Sequence, residues 1–310
     1  MYAITQDAFG GPEALYRTET GRPVPGPGEV LVQVRAAGVN PVDAAVRAGF
    51  FPAFPEPPAV LGWDVAGVVV ELGPDVTRFA VGDEVFGMPR FPGAAGAYAE
   101  YLTAPAGELA RKPAALTMAE AGGLPLAGLT AWQGLVEIAR VEAGQRVLVH
   151  AAAGGVGHLA VQIAKARGAH VVATARAAAH AFVVSLGADE VVDYTAADFA
   201  AATGPVDVVL DLVGGEYAPR SLALLRPGGL LVTTVGHNPG LTADEAERHG
   251  VRFATVFVKP SGAALAGLAE LAEAGGLRVH VERELPLADA AEAHRLAAKG
   301  GARGKTVLVP

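Results

Sequence analysis

The chain has 310 residues, of which 51% are hydrophobic and 18% charged, so it can form two cores and is too apolar for a disordered protein. Its net charge is −8 and no basic stripe is visible, which argues against nucleic acid or an anionic membrane as the main partner. Cysteine is absent, which excludes a disulfide, a thiolate nucleophile and a cysteine-ligated zinc.

Targeting signals are not visible in the sequence. The N-terminal segment lacks a basic region followed by an apolar run, and no stretch approaches about 20 continuous apolar residues. We therefore expect neither a secretory signal nor a membrane span, and we predict a cytoplasmic location.

The first third of the chain predicts a β-rich domain. Residues 29–36 alternate polar and apolar side chains after a Pro-Gly turn at 25–28, as a half-buried strand does. Further short strands are predicted at 65–73, 81–87 and 96–102. Many short strands separated by glycine and proline indicate a barrel-like β domain.

Near Met118 the pattern changes to alternating helices and strands. Helical periodicity covers 119–124 and 130–138, and strand–helix repeats follow at 147–168, 171–187 and 206–225. The remaining predicted elements are strands at 230–235 and 251–258, a helix at 263–274, and a strand–helix–strand tail at 278–310. Alternating units of this kind predict a parallel, doubly wound sheet, hence an α/β fold. The tail is a candidate to return to the first domain.

A glycine-rich turn follows the strand that begins at Val147. The turn contains Gly154, Gly155, Val156 and Gly157 and opens an apolar-periodic helix. Strand, turn and helix in this order are typical of a dinucleotide site, in which glycines let the backbone approach a pyrophosphate. The match to G-x-G-x-x-G is imperfect because Ala152 stands at the first position, so a structural turn remains the alternative.

Arg176 follows the next strand, about 20 residues beyond the glycines. An NAD site usually has a carboxylate there, but none occurs before Asp189. An arginine at this position pairs with a 2′-phosphate, which favours NADP(H) over NAD(H). The alternative is a solvated loop residue.

Several motifs together resemble one known family, the medium-chain dehydrogenase/reductase superfamily, and within it the zinc-independent quinone oxidoreductase (zeta-crystallin-like) branch. The resemblance covers essentially the whole length, and its order and spacing make it specific. The motifs are AGVNPVD at 37–43, GWDVAGVV at 62–69, GAYAEY at 96–101, GLTAW at 128–132, HAAAGGVG at 150–157, LGADEVVDY at 186–194, LRPGG at 225–229 and RGKTVL at 303–308.

The resemblance implies a GroES-like β-barrel domain at 1–118, joined by 265–310, and a Rossmann domain at 119–264, with the active site in the cleft between them. Zinc-dependent relatives have a Cys at the first motif and Gly-His-Glu at the second. This chain has Asn40 at the first and Trp63 followed by Asp64 at the second, so we expect no metal.

The family also implies roles for individual residues. Asn40 and Thr130 are predicted near nicotinamide and substrate as catalytic residues that also bind the cofactor, although Asn40 is alternatively a turn residue before Pro41. The remaining predicted cofactor contacts, beside the glycine turn and Arg176, are Thr174, Tyr194, Val213, Gly236, Phe257, Val258 and Lys305. The Ala-Ala-Ala-His run at 177–180 lacks the Lys or Ser of many relatives, which weakens the NADP assignment.

Four aromatic residues are candidates for an apolar cleft that accepts a flat ring: Phe50, Phe51, Trp63 and Phe91. Ordinary core packing is the alternative, and we expect it for at least one of them. Phe51 replaces a Tyr of many relatives, which removes a candidate proton donor and leaves water for the final protonation. The loops 49–58 and 89–96, where specificity is expected, carry no decodable signal.

Three functions remain open. The first is an NADPH-dependent, zinc-independent reductase of quinones or α,β-unsaturated carbonyls. The second is an enoyl-thioester reductase of fatty-acid or polyketide type, and the third is a weakly catalytic NADPH-binding sensor or structural protein. A homodimer is expected from the family, with the strand predicted at 251–258 as the pairing edge.

Overall fold

The computed structural model describes residues 1–51 and 56–310. Part of the predicted specificity loop, at 52–55, lies outside the described residues. The chain divides into two compact units. The first contains Met1–Leu129, Lys259–Gly275 and Val279–Pro310, and the second contains Thr130–Val258 and Gly276–Arg278.

The first segment of the first unit, Met1–Leu129, begins with strands and ends with helices. Its strands are β1 (Tyr2–Gln6), β2 (Tyr16–Glu19), β3 (Glu29–Val39), β4 (Ala59–Val60), β5 (Val65–Leu72), β6 (Glu84–Gly87), β7 (Tyr101–Pro105) and β8 (Leu109–Arg111). Its helices are α1 (Pro41–Arg47), α2 (Met118–Gly123) and α3 (Pro125–Trp132), the last of which leads into the second unit.

The second unit alternates strands and helices after a π-helical segment at Gln133–Ile138. Its strands are β9 (Arg146–Val149), β10 (His170–Thr174), β11 (Glu190–Val192), β12 (Val206–Asp211), β13 (Leu225–Thr233) and β14 (Arg252–Thr255). Its helices are α4 (Gly157–Ala166), α5 (His180–Ser185), α6 (Phe199–Thr203), α7 (Tyr217–Leu222) and α8 (Ala243–Arg248). The chain then returns to the first unit with α9 (Gly262–Glu273), β15 (Val281–Pro286), α10 (Ala290–Lys299) and β16 (Lys305–Val309).

The first unit is built on two largely antiparallel sheets. Strands run in the order β15-β16-β3-β5-β6-β8, with β7 also paired to β3, and a small sheet has the order β2-β1-β4. The C-terminal strand β16 pairs antiparallel with β3 through Thr306 and Val39. The tail therefore returns to the first unit, as predicted, and the GroES-like architecture is confirmed.

The second unit is a six-stranded parallel sheet in the order β11-β10-β9-β12-β13-β14. Strand β9 reads Val147, Leu148 and Val149, all fully buried, as expected for a parallel strand covered on both faces. The order reverses between β9 and β12, and ligands of open α/β sheets bind at the carboxyl ends of strands at such a point. The predicted Rossmann fold is confirmed.

Contacts divide the chain after Leu129 and after Val258, so the first boundary lies later than the predicted residue 118 and the second lies earlier than the predicted residue 264. Helix α2 packs on β3 so closely that a Cβ added at Gly122 would lie 2.6 Å from the Cβ of Ala36. Helix α9 likewise packs on β8. Both helices therefore belong to the β-rich unit, although their periodicity resembles that of the Rossmann helices.

The strand predicted at 96–102 is wrong in its first half. A strand forms only from Tyr101, while the N–H groups of Ala97 and Tyr98 donate to the carbonyls of Gly62 and Leu61. Ala97, Tyr98 and Ala99 are all buried, and the backbone forms only an isolated bridge between Ala99 and Ala3 in the described part of this segment. No helix in the described part of the chain is long and apolar enough to cross a membrane.

Candidate active site

The glycine-rich turn joins β9 to α4 and is tightly closed. Ala151 has a positive φ of 48°, and its carbonyl accepts the N–H of Gly154 at 3.0 Å. A Cβ at Gly157 would lie only 2.3 Å from the Ala151 oxygen and 2.7 Å from the Cα of Ala152. Only glycine therefore fits at position 157, which is the role of the third glycine in a dinucleotide fingerprint.

The first turn of α4 offers backbone donors. Across residues 1–51 and 56–310, no acceptor is recorded for the backbone N–H groups of Gly155, Val156 and Gly157. Helix N-termini leave such groups unsatisfied and carry a partial positive charge. This end of α4, at the reversal point of the sheet, therefore fits the pyrophosphate of a dinucleotide.

Arg176 and Tyr194 come together at the same edge of the sheet. The Arg176 Nε donates to the Tyr194 hydroxyl at 2.9 Å, and this contact is exposed. The two residues follow β10 and β11, which are adjacent parallel strands. Within the described parts of the chain, the terminal guanidinium nitrogens of Arg176 have no hydrogen-bond partner, so this side chain is suited to a 2′-phosphate on the adenosine ribose.

Thr174 lies deeper than its predicted role requires. Its side chain is fully buried at the end of β10, and its hydroxyl contacts the His150 ring and the Ala151 N–H at 3.1 and 3.2 Å. The structure thus places Thr174 against the back of the glycine turn. The cofactor role predicted for Thr174 stays a prediction, and its hydroxyl already has these two protein partners.

The positions predicted on the nicotinamide side follow the carboxyl ends of β12, β13 and β14. Asp211 is buried, and its Oδ1 accepts the N–H groups of Val213 and Gly214 at 2.9 and 3.0 Å. This Asx-type contact fixes the loop after β12. Val213 and Phe257 are 39% and 54% exposed, whereas Val258 is buried. The cofactor roles predicted for these residues and for Gly236 stay predictions.

Asn40 caps helix α1 in the first unit. It is 2% exposed, and its backbone N–H donates to Asp43 Oδ2 at 2.7 Å in a capping box. The backbone of Asn40 therefore has a structural role as the N-cap of α1, and the choice between a ligand contact and a turn residue before Pro41 stays a prediction. Its side chain has further partners.

The Asn40 carboxamide is fixed at both ends. Its Nδ2 donates to Asp64 Oδ2 at 2.9 Å, and its Oδ1 accepts from the Lys305 ammonium. The same ammonium lies 3.5 Å from Asp64, whose other oxygen accepts the Leu126 N–H at 2.6 Å. Among the described residues, the second Nδ2 hydrogen of Asn40 has no partner and remains for a ligand. The Lys305 ammonium thus contacts both Asn40 and Asp64. The cofactor contact predicted for Lys305 stays a prediction.

A second chain of hydrogen bonds ends at Asp43 Oδ2, the oxygen that also accepts the Asn40 N–H. The Tyr98 hydroxyl donates to Asp43 Oδ2 at 3.1 Å and lies 3.2 Å from His294 Nε2, and His294 Nδ1 lies 3.0 Å from Arg47 Nη1. Burial raises the pKa of the Asp43 carboxyl to about 7, and it lowers the pKa of His294 to about 4. No partner is recorded for Asp43 Oδ1 among the described residues.

Sequence reasoning missed the members of this chain. Asp43 was visible as the third residue after an N-cap Asn, which is the capping-box spacing. Tyr98 and His294 gave no local signal, because the residues that contact them are more than 50 positions away.

The four aromatic residues differ in their surroundings, and the substrate role predicted for them stays a prediction. Trp63 is fully buried, its indole N–H donates to the Gly93 carbonyl at 2.7 Å, and its ring meets Phe91 edge-on at 5.0 Å. Phe51 lies 6.1 Å from Phe91, whereas Phe50 is 82% exposed. Trp63 is therefore core, as expected for at least one of the four. Thr130 is buried on α3, and its catalytic role stays a prediction.

Zinc does not fit the residues at the two motif positions. The Trp63 indole nitrogen is a donor without a lone pair, and the Asn40 oxygen already accepts from Lys305. The neighbouring carboxylate, Asp64, faces an ammonium ion. Within the described parts of the chain, no three His, Cys, Asp or Glu side chains are arranged to hold a metal ion.

Comparisons with known proteins agree with this architecture. Residues 26–114 match the family model described as "Alcohol dehydrogenase GroES-like domain", and residues 186–308 match "Zinc-binding dehydrogenase". The solved quinone oxidoreductase from Coxiella burnetii is 36% identical with a TM-score of 0.92, over 100% of this chain and 99% of that one. The Escherichia coli quinone oxidoreductase complexed with NADPH is 29% identical with a TM-score of 0.90, over 100% of both chains.

The chain belongs to the medium-chain dehydrogenase/reductase superfamily, in its quinone oxidoreductase branch. It is therefore an oxidoreductase, and the resemblance seen in the sequence is confirmed. Curated relatives include "NAD(P)H oxidoreductase RTN4IP1, mitochondrial" from Danio rerio, 35% identical over 91% of this chain and 84% of that protein. "Spectinabilin polyketide synthase system protein NorB" from Streptomyces orinoci is 39% identical over 91% of this chain but only 13% of its own length.

Proposed function

We propose that this protein is an NADPH-dependent, zinc-independent oxidoreductase that transfers hydride to a quinone or an α,β-unsaturated carbonyl compound. The observation that carries the proposal is the pairing of a closed glycine turn with Arg176 and Tyr194 at neighbouring strand ends. The similarity to an Escherichia coli quinone oxidoreductase complexed with NADPH supports it.

The cofactor preference follows from charge at the end of β10. In NAD-specific sites a carboxylate at this place accepts the ribose 2′-hydroxyl and repels a 2′-phosphate. This chain places the Arg176 guanidinium there, with Tyr194 as its neighbour. We therefore expect tighter binding of NADPH than of NADH.

NADPH, when bound, supplies the hydride, and the protein orients and polarises the acceptor. We propose Asn40 for the second task, since its remaining Nδ2–H is a fixed donor for an oxygen on which negative charge develops. Lys305 and Asp64 hold the carboxamide in the orientation that presents this hydrogen. Phe51 has no hydroxyl to donate, so water supplies the final proton.

The test is a comparison of cofactor oxidation with NADPH and with NADH against several acceptors. The acceptors are 1,4-benzoquinone, 9,10-phenanthrenequinone, a simple enone and a crotonyl thioester. We expect NADPH-selective turnover of a quinone or the enone. A purified protein that binds no nicotinamide cofactor would refute the proposal. Tight NADPH binding without turnover of any acceptor would favour the sensor or structural function instead.

The second candidate is an enoyl-thioester reductase. It is favoured by the 39% identity to a section of a polyketide synthase system protein, which is higher than the 36% identity to the Coxiella quinone oxidoreductase. Both reactions add hydride to a carbon conjugated with a carbonyl, so the same site chemistry serves either one. Turnover of the crotonyl thioester without turnover of quinones would select this candidate.

A further inference from the structure

A continuous chain of buried and partly buried hydrogen bonds runs from the glycine turn to helix α7. The Ala151 N–H donates to Thr174 Oγ1 at 3.2 Å, and Thr174 Oγ1 lies 3.1 Å from His150 Nδ1. His150 Nε2 lies 3.0 Å from Ser221 Oγ, which donates to the Tyr217 carbonyl at 2.7 Å. His150, Thr174 and Ser221 are each fully buried.

One direction of donation satisfies every group in this chain. The Ser221 hydroxyl hydrogen is used by the Tyr217 carbonyl, so Ser221 accepts from His150 Nε2–H. His150 Nδ1 is then unprotonated and accepts the Thr174 hydroxyl hydrogen, which leaves the Thr174 oxygen to accept the Ala151 N–H. In the reverse direction the Ser221 hydroxyl hydrogen does not reach the Tyr217 carbonyl, and no acceptor for the Thr174 hydroxyl hydrogen is present among the described residues.

The His150 ring has no freedom to turn. It meets Phe199 and Tyr217 edge-on at 4.7 and 5.2 Å, and these two rings stack on each other 5.2 Å apart. Burial, together with the charge of Arg220, lowers the pKa of His150 to about 3. The imidazole is therefore neutral near pH 7, as the hydrogen-bond chain requires.

The Ala151 peptide determines the shape of the turn. This residue has a left-handed conformation with φ of 48°, which is unfavourable for a residue with a Cβ. Its carbonyl accepts from Gly154 and faces the Cα of Gly157 at the start of α4. If the Ala151 N–H lost its acceptor, this conformation would lose one of the contacts that hold it in place.

We propose that His150, as the neutral Nε2–H tautomer, is a positioning residue for the phosphate-binding turn. It acts through Thr174, whose oxygen holds the Ala151 N–H and thereby keeps the backbone donors of α4 aimed at a pyrophosphate. This inference rests on the proposed function. It assigns a role to His150 and replaces the predicted ribose contact of Thr174 with an indirect one.

The test uses Thr174→Val, which keeps the shape of the side chain and removes the hydroxyl, with Thr174→Ser as the matched control. Calorimetric titration measures the Kd of NADPH and of adenosine 2′-monophosphate, which lacks the pyrophosphate. We expect Thr174→Val to weaken NADPH binding about tenfold and to leave binding of the monophosphate nearly unchanged, because the N–H group that loses its acceptor lies in the turn that would hold the pyrophosphate. Thr174→Ser is expected to bind both ligands like the wild type.

Two results overturn the inference while the proposed function stands. One is wild-type NADPH affinity in Thr174→Val, and the other is an equal loss of both ligands, which a general structural role would produce. A wild-type protein that binds no NADPH would instead overturn the proposed function and this inference with it.

Two further measurements apply if Thr174→Val does not fold. They are NADPH binding by Ser221→Ala and the tautomer of His150 in the wild type. Ser221 is at the far end of the chain from the turn, so Ser221→Ala is expected to weaken NADPH binding in the same direction but less. Nitrogen-15 NMR of labelled histidine in the wild type is expected to show His150 protonated at Nε2 alone from about pH 5 to pH 8, consistent with its pKa of about 3. A proton on Nδ1 would overturn the inference.

Discussion

The hydrogen-bond partners of a residue determine which of its polar atoms remain for a ligand, in both units of the chain. Asn40 shows this most clearly, because Lys305 occupies its carboxamide oxygen and Asp64 accepts one of its two amide hydrogens. Arg176 is the opposite case, since it is exposed and contacts Tyr194 through one nitrogen only. The buried residue is positioned before any ligand binds, whereas the exposed one has charge available for a ligand.

Replacing Arg176 tests the phosphate assignment. Arg176→Ala is expected to raise the KM for NADPH about 10- to 100-fold, because a charge-assisted contact worth about 1.5–3 kcal/mol is lost. The KM for NADH should change little, since that cofactor has no 2′-phosphate. Steady-state kinetics with both cofactors measures this difference. Tyr194→Phe serves as a milder control, and an equal effect on both cofactors would contradict the assignment.

The raised pKa of Asp43 predicts that the stability of the folded chain depends on pH. Its pKa is about 7 in the folded chain, above the usual value of about 3.9 for an unfolded Asp, so folding favours its protonated form. Its contribution to stability is complete below about pH 4 and is lost as the pH rises through about 7. His294, with a folded pKa of about 4, changes stability in the opposite direction below about pH 6.5.

Asp43→Asn separates the two effects, because it removes one titration and leaves the other. The Asn oxygen can still accept from the Asn40 N–H and the Tyr98 hydroxyl, as Asp43 Oδ2 does. We expect the free energy of unfolding of the wild type to fall relative to that of Asp43→Asn between pH 5 and pH 8. Urea denaturation of both proteins measures it, and a constant difference across this range would count against the raised pKa.

At the scale of elements, the close approach of α4 to β9 depends on the space around one glycine, Gly157. Gly154 and Gly157 belong to the same turn, but a Cβ at Gly154 would have its nearest contact at 3.3 Å, against 2.3 Å at Gly157. The helix can approach the strand this closely only without a side chain at its first residue. The two positions therefore form a natural pair for comparison.

Gly157→Ala is expected to displace the start of α4, to destabilise the protein and to weaken NADPH binding at least tenfold. Gly154→Ala should have a much smaller effect on both quantities, because its neighbour needs to move only a few tenths of an ångström. Thermal unfolding and NADPH titration of both variants provide the comparison. Equal behaviour of the two variants would show that the close approach at Gly157 does not control the site.

At the scale of the whole molecule, the second unit ends in an edge strand. Strand β14 is last in the six-stranded sheet, and it contributes Arg252–Thr255 from the segment predicted to pair between chains. Edge strands in soluble proteins are usually covered or blunted. A homodimer remains our prediction for this protein, and a cytoplasmic location does as well.

Light scattering during size-exclusion chromatography tests the dimer. We expect a mass of twice the 31.4 kDa of one chain, maintained on dilution to micromolar concentrations. A mass of one chain under these conditions would contradict the prediction. NADPH should not change the measured mass if the dimer forms before the cofactor binds.

The sequence by itself determined the fold class and the position of the glycine-rich turn. Buried parallel strands need continuous apolar runs, and the turn at Gly157 excludes every side chain, so both leave local patterns that can be read residue by residue. The sequence also indicated the charge at Arg176, because its position after a strand places it at the carboxyl edge of the sheet.

Only the tertiary structure decided how the buried polar groups are connected. Lys305 reaches Asn40 across 265 positions of sequence, and Arg47 reaches His294 across 247. It also decided that the Thr174 hydroxyl accepts the Ala151 N–H behind the turn and that α2 belongs to the β-rich unit. Local patterns reveal which side chains are apolar or small. The hydrogen-bond partners of buried polar groups depend instead on proximity in the folded chain, which the spacing of residues along the sequence does not give.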